Sequence, residues 1–97
     1  MPGPLKVSAK SNPNAVAGAL AAALRESDSA ELQAVGAGAI NQAVKAVAIA
    51  RTYLHASEID AVCTPSFITV EIGEVERTGI SLVVERRASS DPEAVEG

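Results

Sequence analysis

A glycine-containing junction between an apolar run and a long alanine-rich stretch constrains this chain more than any other feature. Residues 35–41 read V-G-A-G-A-I-N. If residues 32–35 form a strand, Gly36 and Gly38 can adopt backbone angles closed to other residues. The helix behind them then points unpaired N–H groups and its positive dipole end outward. The junction therefore predicts a strand, a tight turn and a helix, with room for an anion such as a phosphate.

Two interpretations of this junction stay open at the level of sequence. The glycine spacing matches a dinucleotide-binding fingerprint only in part, because Asn41 stands where the third glycine belongs. Glycine and alanine also let a helix pack close to a sheet without any ligand. We therefore expect no nucleotide cofactor, and the junction indicates either a phosphate contact or close packing.

Composition limits the classes of protein that fit. Ninety-seven residues suit one domain, and with 2% aromatic residues and no Trp the core must be built from small aliphatic side chains. The single cysteine, Cys63, and the single histidine, His55, provide neither an internal disulfide nor a recognisable metal site. No apolar run has the length a bilayer requires, and the Met-Pro-Gly-Pro start lacks the regions of a signal peptide. We expect a cytoplasmic protein without a cofactor, a metal or a membrane contact.

The first half of the chain reads as two strands, each followed by a helix. Residues 5–9 alternate between apolar and polar side chains as a half-buried strand does. Asn12 is placed to cap a helix over residues 13–26, with Pro13 at its first position. Residues 31–35 then predict the second strand, and residues 39–55 the second helix.

The second half reads as a hairpin. Residues 58–64 and 67–72 predict one bent strand or two collinear strands, because Pro65 marks an edge, a bulge or a break. A turn at Gly73 leads into a last strand over residues 78–86. We expect a short tail at residues 1–4, one domain at residues 5–87 and a disordered acidic tail at residues 88–97.

The predicted fold class is α+β, an α/β two-layer sandwich. The order β-α-β-α-β-β places two helices on one face of a four-stranded mixed sheet. On the first helix we expect a close approach of another backbone at Gly18. The predicted core positions on the helices are Val16, Leu20, Ala23, Leu24, Ile40, Val44, Val47, Ala48 and Leu54. The open face of the sheet should carry outward side chains at Lys6, Ser8, Ser81 and Glu85.

Single residues with reactive or charged side chains have structural interpretations. Cys63 fits a small core residue on a strand. Arg51 is placed to pair with an acid near the end of the second helix, and His55 is favoured as a cation beside that helix end. The chain shows no Ser-His-Asp order, no paired carboxylates and no Walker lysine, so we expect no catalytic residues.

Two long stretches resemble a known family. Residues 5–20, L-K-V-S-A-K-S-N-P-N-A-V-A-G-A-L, and residues 33–51, Q-A-V-G-A-G-A-I-N-Q-A-V-K-A-V-A-I-A-R, are similar to the stage V sporulation protein S family. The resemblance continues through E-R-T at 76–78 and V-V-E-R at 83–86. Proteins of that family are small bacterial factors implicated in sporulation and cell development. They are grouped with the Alba-like fold of DNA- and RNA-binding proteins, so the resemblance implies that fold and that class.

The same resemblance suggests a nucleic-acid surface. Alba proteins carry a basic loop after the first strand and an arginine-bearing turn before the second helix; this chain has Lys10 in the first place and the glycine turn, without the arginine, in the second. Backbone donors at the turn, a phosphate contact on the second helix and an arginine on the hairpin would complete the surface. The nucleic-acid-binding candidates are Lys10, Asn12, Gly36, Gly38, Lys45 and Arg77.

Each candidate also has an interpretation without a ligand. Lys10 fits a solvated loop cation. Asn12 fits a helix cap. Lys45 could belong to an exposed polar stripe with Asn41 and Thr52 on the second helix.

The net charge of the chain leaves two hypotheses about its function open. Eight Lys and Arg residues against twelve Asp and Glu give a net charge of −4, and an acidic chain is a poor general binder of nucleic acid. The first hypothesis is a non-enzymatic regulatory protein that binds DNA or RNA weakly. The alternative is a protein–protein interaction or scaffold factor. In both cases we expect a homodimer or a higher homo-oligomer, because so few large side chains leave an apolar face for a two-fold partner to complete.

Overall fold

A mixed four-stranded sheet carries two helices in the part of the chain that the structure describes. The computed structural model describes residues 3–88. Its elements are β1 (Leu5–Val7), α1 (Pro13–Glu26), β2 (Ser29–Ala34), α2 (Ala37–His55), β3 (Ile59–Ile72) and β4 (Val75–Ala88). The predicted α+β class and the order β-α-β-α-β-β are therefore confirmed.

The strands lie in the order β1-β2-β4-β3, so β1 and β3 are the two edges. β1 runs parallel to β2, whereas β4 is antiparallel to both of its neighbours. β2 pairs only with residues 80–85 of β4, but β3 pairs with β4 along all fourteen residues. Residues 68–79 consequently form a two-stranded extension beyond the last residue of β2, which we call the hairpin arm.

The first helix begins and ends where the sequence predicts. The Asn12 side-chain oxygen accepts hydrogen bonds from the backbone N–H groups of Asn14 (2.8 Å) and Ala15 (3.3 Å), which satisfies donors that have no partner inside the helix. Pro13 occupies the first helical position. The expectation for Gly18 is wrong: it is exposed, and a Cβ added there would meet no atom within 4 Å.

Small side chains and a few leucines fill the space between the helices and the sheet. Leu20, Leu24, Leu32, Leu54 and Val84 are the largest side chains with no more than trace exposure. Alanines supply most of the helical contact: the buried ones are Ala17, Ala21, Ala39, Ala43, Ala46 and Ala50. Close packing of small residues, as predicted, builds the core. Neither helix has the length and apolarity that a bilayer span would need, within the residues described.

Part of the predicted helical core is wrong. Leu20, Leu24, Val47 and Leu54 are buried, and Val16, Ala23 and Ile40 are partly buried. Val44, however, is 53% exposed and Ala48 is exposed as well. At 3.6 residues per turn these two lie on the same stripe of α2 as Asn41, Lys45 and Thr52, which are also exposed. The stripe faces solvent because α1 and the sheet cover the opposite side.

Strand boundaries differ from the predictions where turns or neighbours intervene. β1 ends at Val7 instead of residue 9, and β2 begins at Ser29 instead of residue 31. β3 is one continuous strand through Pro65, which confirms the edge interpretation of that proline. Pairing with β3 extends β4 to Ala88, so residue 88 belongs to the sheet and not to a tail. The rest of the predicted tail, residues 89–97, lies outside the described residues, as do residues 1–2.

Two polar residues have surroundings that differ from the expected ones. Ser81, predicted to point into solvent, is only 2% exposed because it lies on an inner strand and donates a hydrogen bond of 2.6 Å to the Glu31 carboxylate. That bond, together with one from Gln33, lowers the pKa of Glu31. Cys63, predicted in the core, is exposed because no helix covers its part of β3, and partial desolvation raises the pKa of its thiol. Lys6, Ser8 and Glu85 are exposed as predicted.

Candidate nucleic-acid interface

The loop between β1 and α1 is a tight turn held by two serines. The Ser11 backbone N–H donates to the Ser8 carbonyl (3.0 Å), and the Ser8 N–H donates to the Ser11 hydroxyl (2.9 Å). The Lys10 N–H donates to the Ser8 hydroxyl at 3.2 Å. These bonds fix the backbone on both sides of Lys10, whose side chain is exposed. The sequence suggested a basic loop but gave no sign of this serine pair.

The turn before α2 uses its two glycines for different reasons. Gly36 is the N-cap residue, with φ of +91°, and its carbonyl accepts the first helical hydrogen bond from Ile40 at 3.0 Å. Because such a φ is rarely open to other residues, the predicted conformational role of Gly36 is confirmed. Gly38 does not have a positive φ; a Cβ there would lie 3.0 Å from the Ala9 Cβ. Its role is close packing against the loop after β1.

Within residues 3–88, no side chain caps the start of α2. The first amides of a helix have no acceptors within it, so those of α2 point out of the turn with the positive end of the helix dipole. In contrast, the Asn12 side chain already accepts two hydrogen bonds from α1, and its oxygen is committed to capping. Of the two helix starts, that of α2 is the one with donors to offer an anion.

Contacts between distant residues bring the loop and the turn together. Besides the approach of Ala9 to Gly38, the Gln42 side-chain amide donates to the Ser11 carbonyl at 2.9 Å. The structure thus brings four of the six candidates, Lys10, Asn12, Gly36 and Gly38, to one end of the molecule. We use the name loop surface for these four residues together with the other two candidates, Lys45 and Arg77.

The remaining two candidates come from other elements. Lys45 lies three residues beyond Gln42 on the exposed stripe of α2. Arg77 lies on the hairpin arm directly opposite Val70, which borders the same groove as Ser8. Both side chains are exposed. The arm places Arg77 among acids, since Glu71 pairs with Glu76 one step nearer its tip.

Five of the eight Lys and Arg residues fall into two groups. Lys10, Lys45 and Arg77 make no ion pair within residues 3–88. At the opposite end, Arg51 of α2 and Arg87 of β4 both hold Asp60, with N–O distances of 3.0 and 2.6 Å. Of these two groups, only the first is open to an anionic partner without loss of an internal ion pair.

Arg51 and Arg87 stabilise the ionised form of the Asp60 carboxylate. The carboxylate is only 10% exposed, and its burial alone would raise its pKa; the hydrogen bonds from Arg87, Arg51 and the Ala61 backbone outweigh that effect and lower the pKa to about 2. The predicted pairing of Arg51 with an acid near the end of α2 is confirmed, although the acid lies on β3. This cluster joins α2, β3 and β4 and is a structural feature of the fold.

The structure also shows a cleft that the sequence did not indicate. Lys6, Ser8 and Gln33 line one part of a groove of about 390 Å³, and Val70 and Ile72 of the hairpin arm line another. Alternation along β1 predicts that Lys6 points outward, but only the curvature of the arm makes it part of a concavity.

Among the described residues, no three His, Cys, Asp or Glu side chains come together as a metal site requires.

The fold and the loop surface define a class: a small α+β protein with a mixed sheet, both helices on one face, and a loop lysine beside a glycine turn that makes no ion pair among the described residues. The family model of stage V sporulation protein S matches residues 3–87, which include every strand and helix except the last residue of β4. The chain belongs to the stage V sporulation protein S family and is a small sporulation-related protein.

Proposed function

We propose that this protein binds DNA or RNA weakly through the loop surface and acts, without catalysing a reaction, in sporulation or cell development in the cytoplasm. One observation carries the proposal. The loop that carries Lys10 packs against the uncapped start of α2, and Lys10, Lys45 and Arg77 make no ion pair among the described residues. A phosphate next to them would gain a cation and free backbone donors together.

The charges also set the strength of the interaction. Three cations, Lys10, Lys45 and Arg77, give a slope of log K against log salt concentration of about −2 to −3, which corresponds to weak binding. Glu71, Glu74 and Glu76 at the tip of the arm oppose a polyanion there. We expect dissociation constants on the order of 10–100 µM at moderate salt, as for non-specific binding.

Fluorescence anisotropy tests this proposal with a labelled DNA duplex and an RNA hairpin at two salt concentrations. The Lys10→Ala/Lys45→Ala double variant should lose about tenfold or more in affinity at low salt. Arg86→Ala/Lys6→Ala is the matched control, because it removes two exposed cations outside the loop surface. Binding that is insensitive to salt, or equal losses in the two double variants, would contradict the assignment.

A second candidate function is a protein–protein interaction, and an exposed apolar strip favours it. Cys63, Pro65 and Phe67 of β3 pair with Val84, Leu82 and Ile80, so they lie on the face of the sheet that carries the helices. The helices do not reach them, and Phe67 is 80% exposed. The strip carries no charge, as is typical of the centre of an interface.

We expect a second copy of this chain to cover the strip in a symmetric homodimer. Phe67→Ser should convert the dimer to a monomer in sedimentation velocity experiments at micromolar concentration. Val75→Ser, which removes another exposed apolar residue at the tip of the arm, should leave the dimer intact. A monomeric mass for the unmodified protein would exclude the dimer and would leave the strip to a different protein partner.

A further inference from the structure

The face of the sheet opposite the helices ends in a groove between the two edge strands. Lys6 and Ser8 come from β1 and the turn after it, and Val70 and Ile72 come from β3 on the hairpin arm. In the flat order of the sheet, β1 and β3 are separated by two strands. The arm therefore curves far enough to bring one edge of the sheet opposite the other.

Gly79 of β4 leaves room for an aliphatic side chain at the base of the groove. A Cβ on Gly79 would lie 2.8 Å from the Ala34 carbonyl oxygen and 2.9 Å from a methyl group of Val35. Because Gly79 has no side chain, Val35 can lie across β4 just beyond the end of β2, where it lines the groove. Together with Val70 and Ile72 of β3 it gives the groove three aliphatic side chains from two separate segments.

The strand edge beside the groove is open. β1 pairs with β2 through Leu5, Lys6 and Val7, and no strand in the described part of the chain lies on its other side. An unpaired edge presents backbone N–H and C=O groups at the spacing of an extended chain. The turn at Ser8 closes the edge at one end, since the Ser8 N–H is bonded to the Ser11 hydroxyl.

The charge of the groove selects among possible partners. Lys6 is exposed and has no ion pair among the described residues. Gln33 beside it is held by Glu31, to which its amide donates at 3.1 Å. Glu71 also borders the groove, but strand alternation places its side chain on the other face of the arm. The polar wall thus offers Lys6 next to the open edge, and the other wall offers aliphatic side chains. A carboxylate and aliphatic side chains on one extended chain complement this arrangement.

We propose that the groove binds a short extended peptide, with aliphatic residues alternating with acidic ones, that adds a strand to the free edge of β1. Backbone hydrogen bonds to β1 supply affinity, and the alternating side chains supply specificity. An acidic side chain of the peptide meets Lys6, and aliphatic ones lie against Val35, Val70 and Ile72. The site goes beyond nucleic-acid binding, because its lining includes none of the six residues of the loop surface.

Titration of the ¹⁵N-labelled protein with the peptide acetyl-VEVEV-amide tests the proposal. Amide shifts should change at residues 6–9 and 70–72 and should titrate together. The peptide acetyl-VKVKV-amide should bind about tenfold more weakly, because it places a like charge against Lys6. A version of the first peptide with N-methylated backbone amides should lose binding, since it keeps the side chains but cannot pair with a strand.

A charge reversal separates this site from the loop surface. Lys6→Glu should invert the preference between the two peptides, whereas Lys10→Glu, the same change in the adjacent loop, should leave peptide binding unchanged and weaken binding to nucleic acid. Shifts confined to other regions, equal binding of the N-methylated peptide, or no effect of Lys6→Glu would each overturn the peptide site. None of these results would bear on the loop surface, which the nucleic-acid titration tests alone.

Discussion

The two halves of β4 show how one strand can serve as both core and surface. Residues 80–85 lie between β2 and β3 beneath the helices, and Leu82 and Val84 are 5% and 0% exposed. Residues 75–79 pair with β3 alone, and Val75 is 60% exposed. Each half contains valine, yet Val84 is fully buried and Val75 is largely exposed. A second neighbouring strand and a helix above it, rather than the residue type, decide what becomes buried.

The stability of the hairpin arm consequently depends on the part of the sheet that the helices cover. An isolated two-stranded hairpin is marginally stable in water. The arm gains its stability from the continuous ladder that joins it to the covered part of β3 and β4. Loss of the core should therefore unfold the arm, whereas changes at the tip of the arm should leave the core intact.

The largest expected effect compares two residues of β4. Leu82→Ala should lower the free energy of unfolding by about 2–5 kcal/mol, because it removes a buried side chain and leaves a cavity. Val75→Ala should change it by less than about 0.5 kcal/mol, because that side chain is already largely in water. Urea denaturation of both variants measures the difference. Similar losses would mean that the arm has a buried contact of its own.

A second test targets the point at which the arm leaves the sheet. Gly79→Ala should lower the free energy of unfolding by about 1–3 kcal/mol, since the new Cβ cannot fit beside the Ala34 carbonyl oxygen without a shift of β4. Gly18→Ala is the matched control: its Cβ meets open space on α1, and it should raise stability by about 0.5–1 kcal/mol. Thermal unfolding should show shifts of opposite sign. A neutral Gly79→Ala would show that β4 moves freely at this point.

The smallest effect concerns the far end of the same two strands, where Asp60 joins them to α2. The folded-state pKa of about 2 lies below the usual 3.8, so the carboxylate stabilises the fold above about pH 4 and this contribution disappears as the pH falls towards 2. Asp60→Asn should cost about 1–2 kcal/mol at pH 7 and make the dependence of stability on pH between 5 and 2 shallower. Denaturation curves across that range provide the measurement, and an unchanged slope would assign the acid sensitivity to other carboxylates such as Glu31.

Local sequence signals account for most of the fold. Asn12 and Pro13 fix the start of α1 through capping and a preset φ, and both act within a few residues. Gly36 is likewise a local signal, because a glycine at this position indicates a positive φ before α2. Burial at the margins is different: Val44, Cys63 and Ser81 each satisfy the pattern of their element, but their exposure depends on where a helix ends or which strand lies beside them.

The candidate site also has parts that local sequence signals predict and parts that depend on tertiary contacts. The loop and turn residues could be predicted because each sits in a recognisable local motif. Their proximity could not, since Gly38 packs against Ala9 and Gln42 reaches Ser11, contacts that span about thirty residues of chain. The groove at Lys6 was missed altogether, because it depends on the curvature of an arm whose length the sequence understated.

The proline within β3 has a consequence for how the molecule behaves at high concentration. A fourteen-residue edge strand exposes a row of unpaired backbone groups, which is a template for uncontrolled addition of further chains and for fibre growth. Pro65 has no N–H, and a proline is tolerated in a sheet where that missing donor faces the open side. It divides the exposed row into two short segments. A long edge strand divided in this way is a poorer template for the addition of further strands than an uninterrupted one.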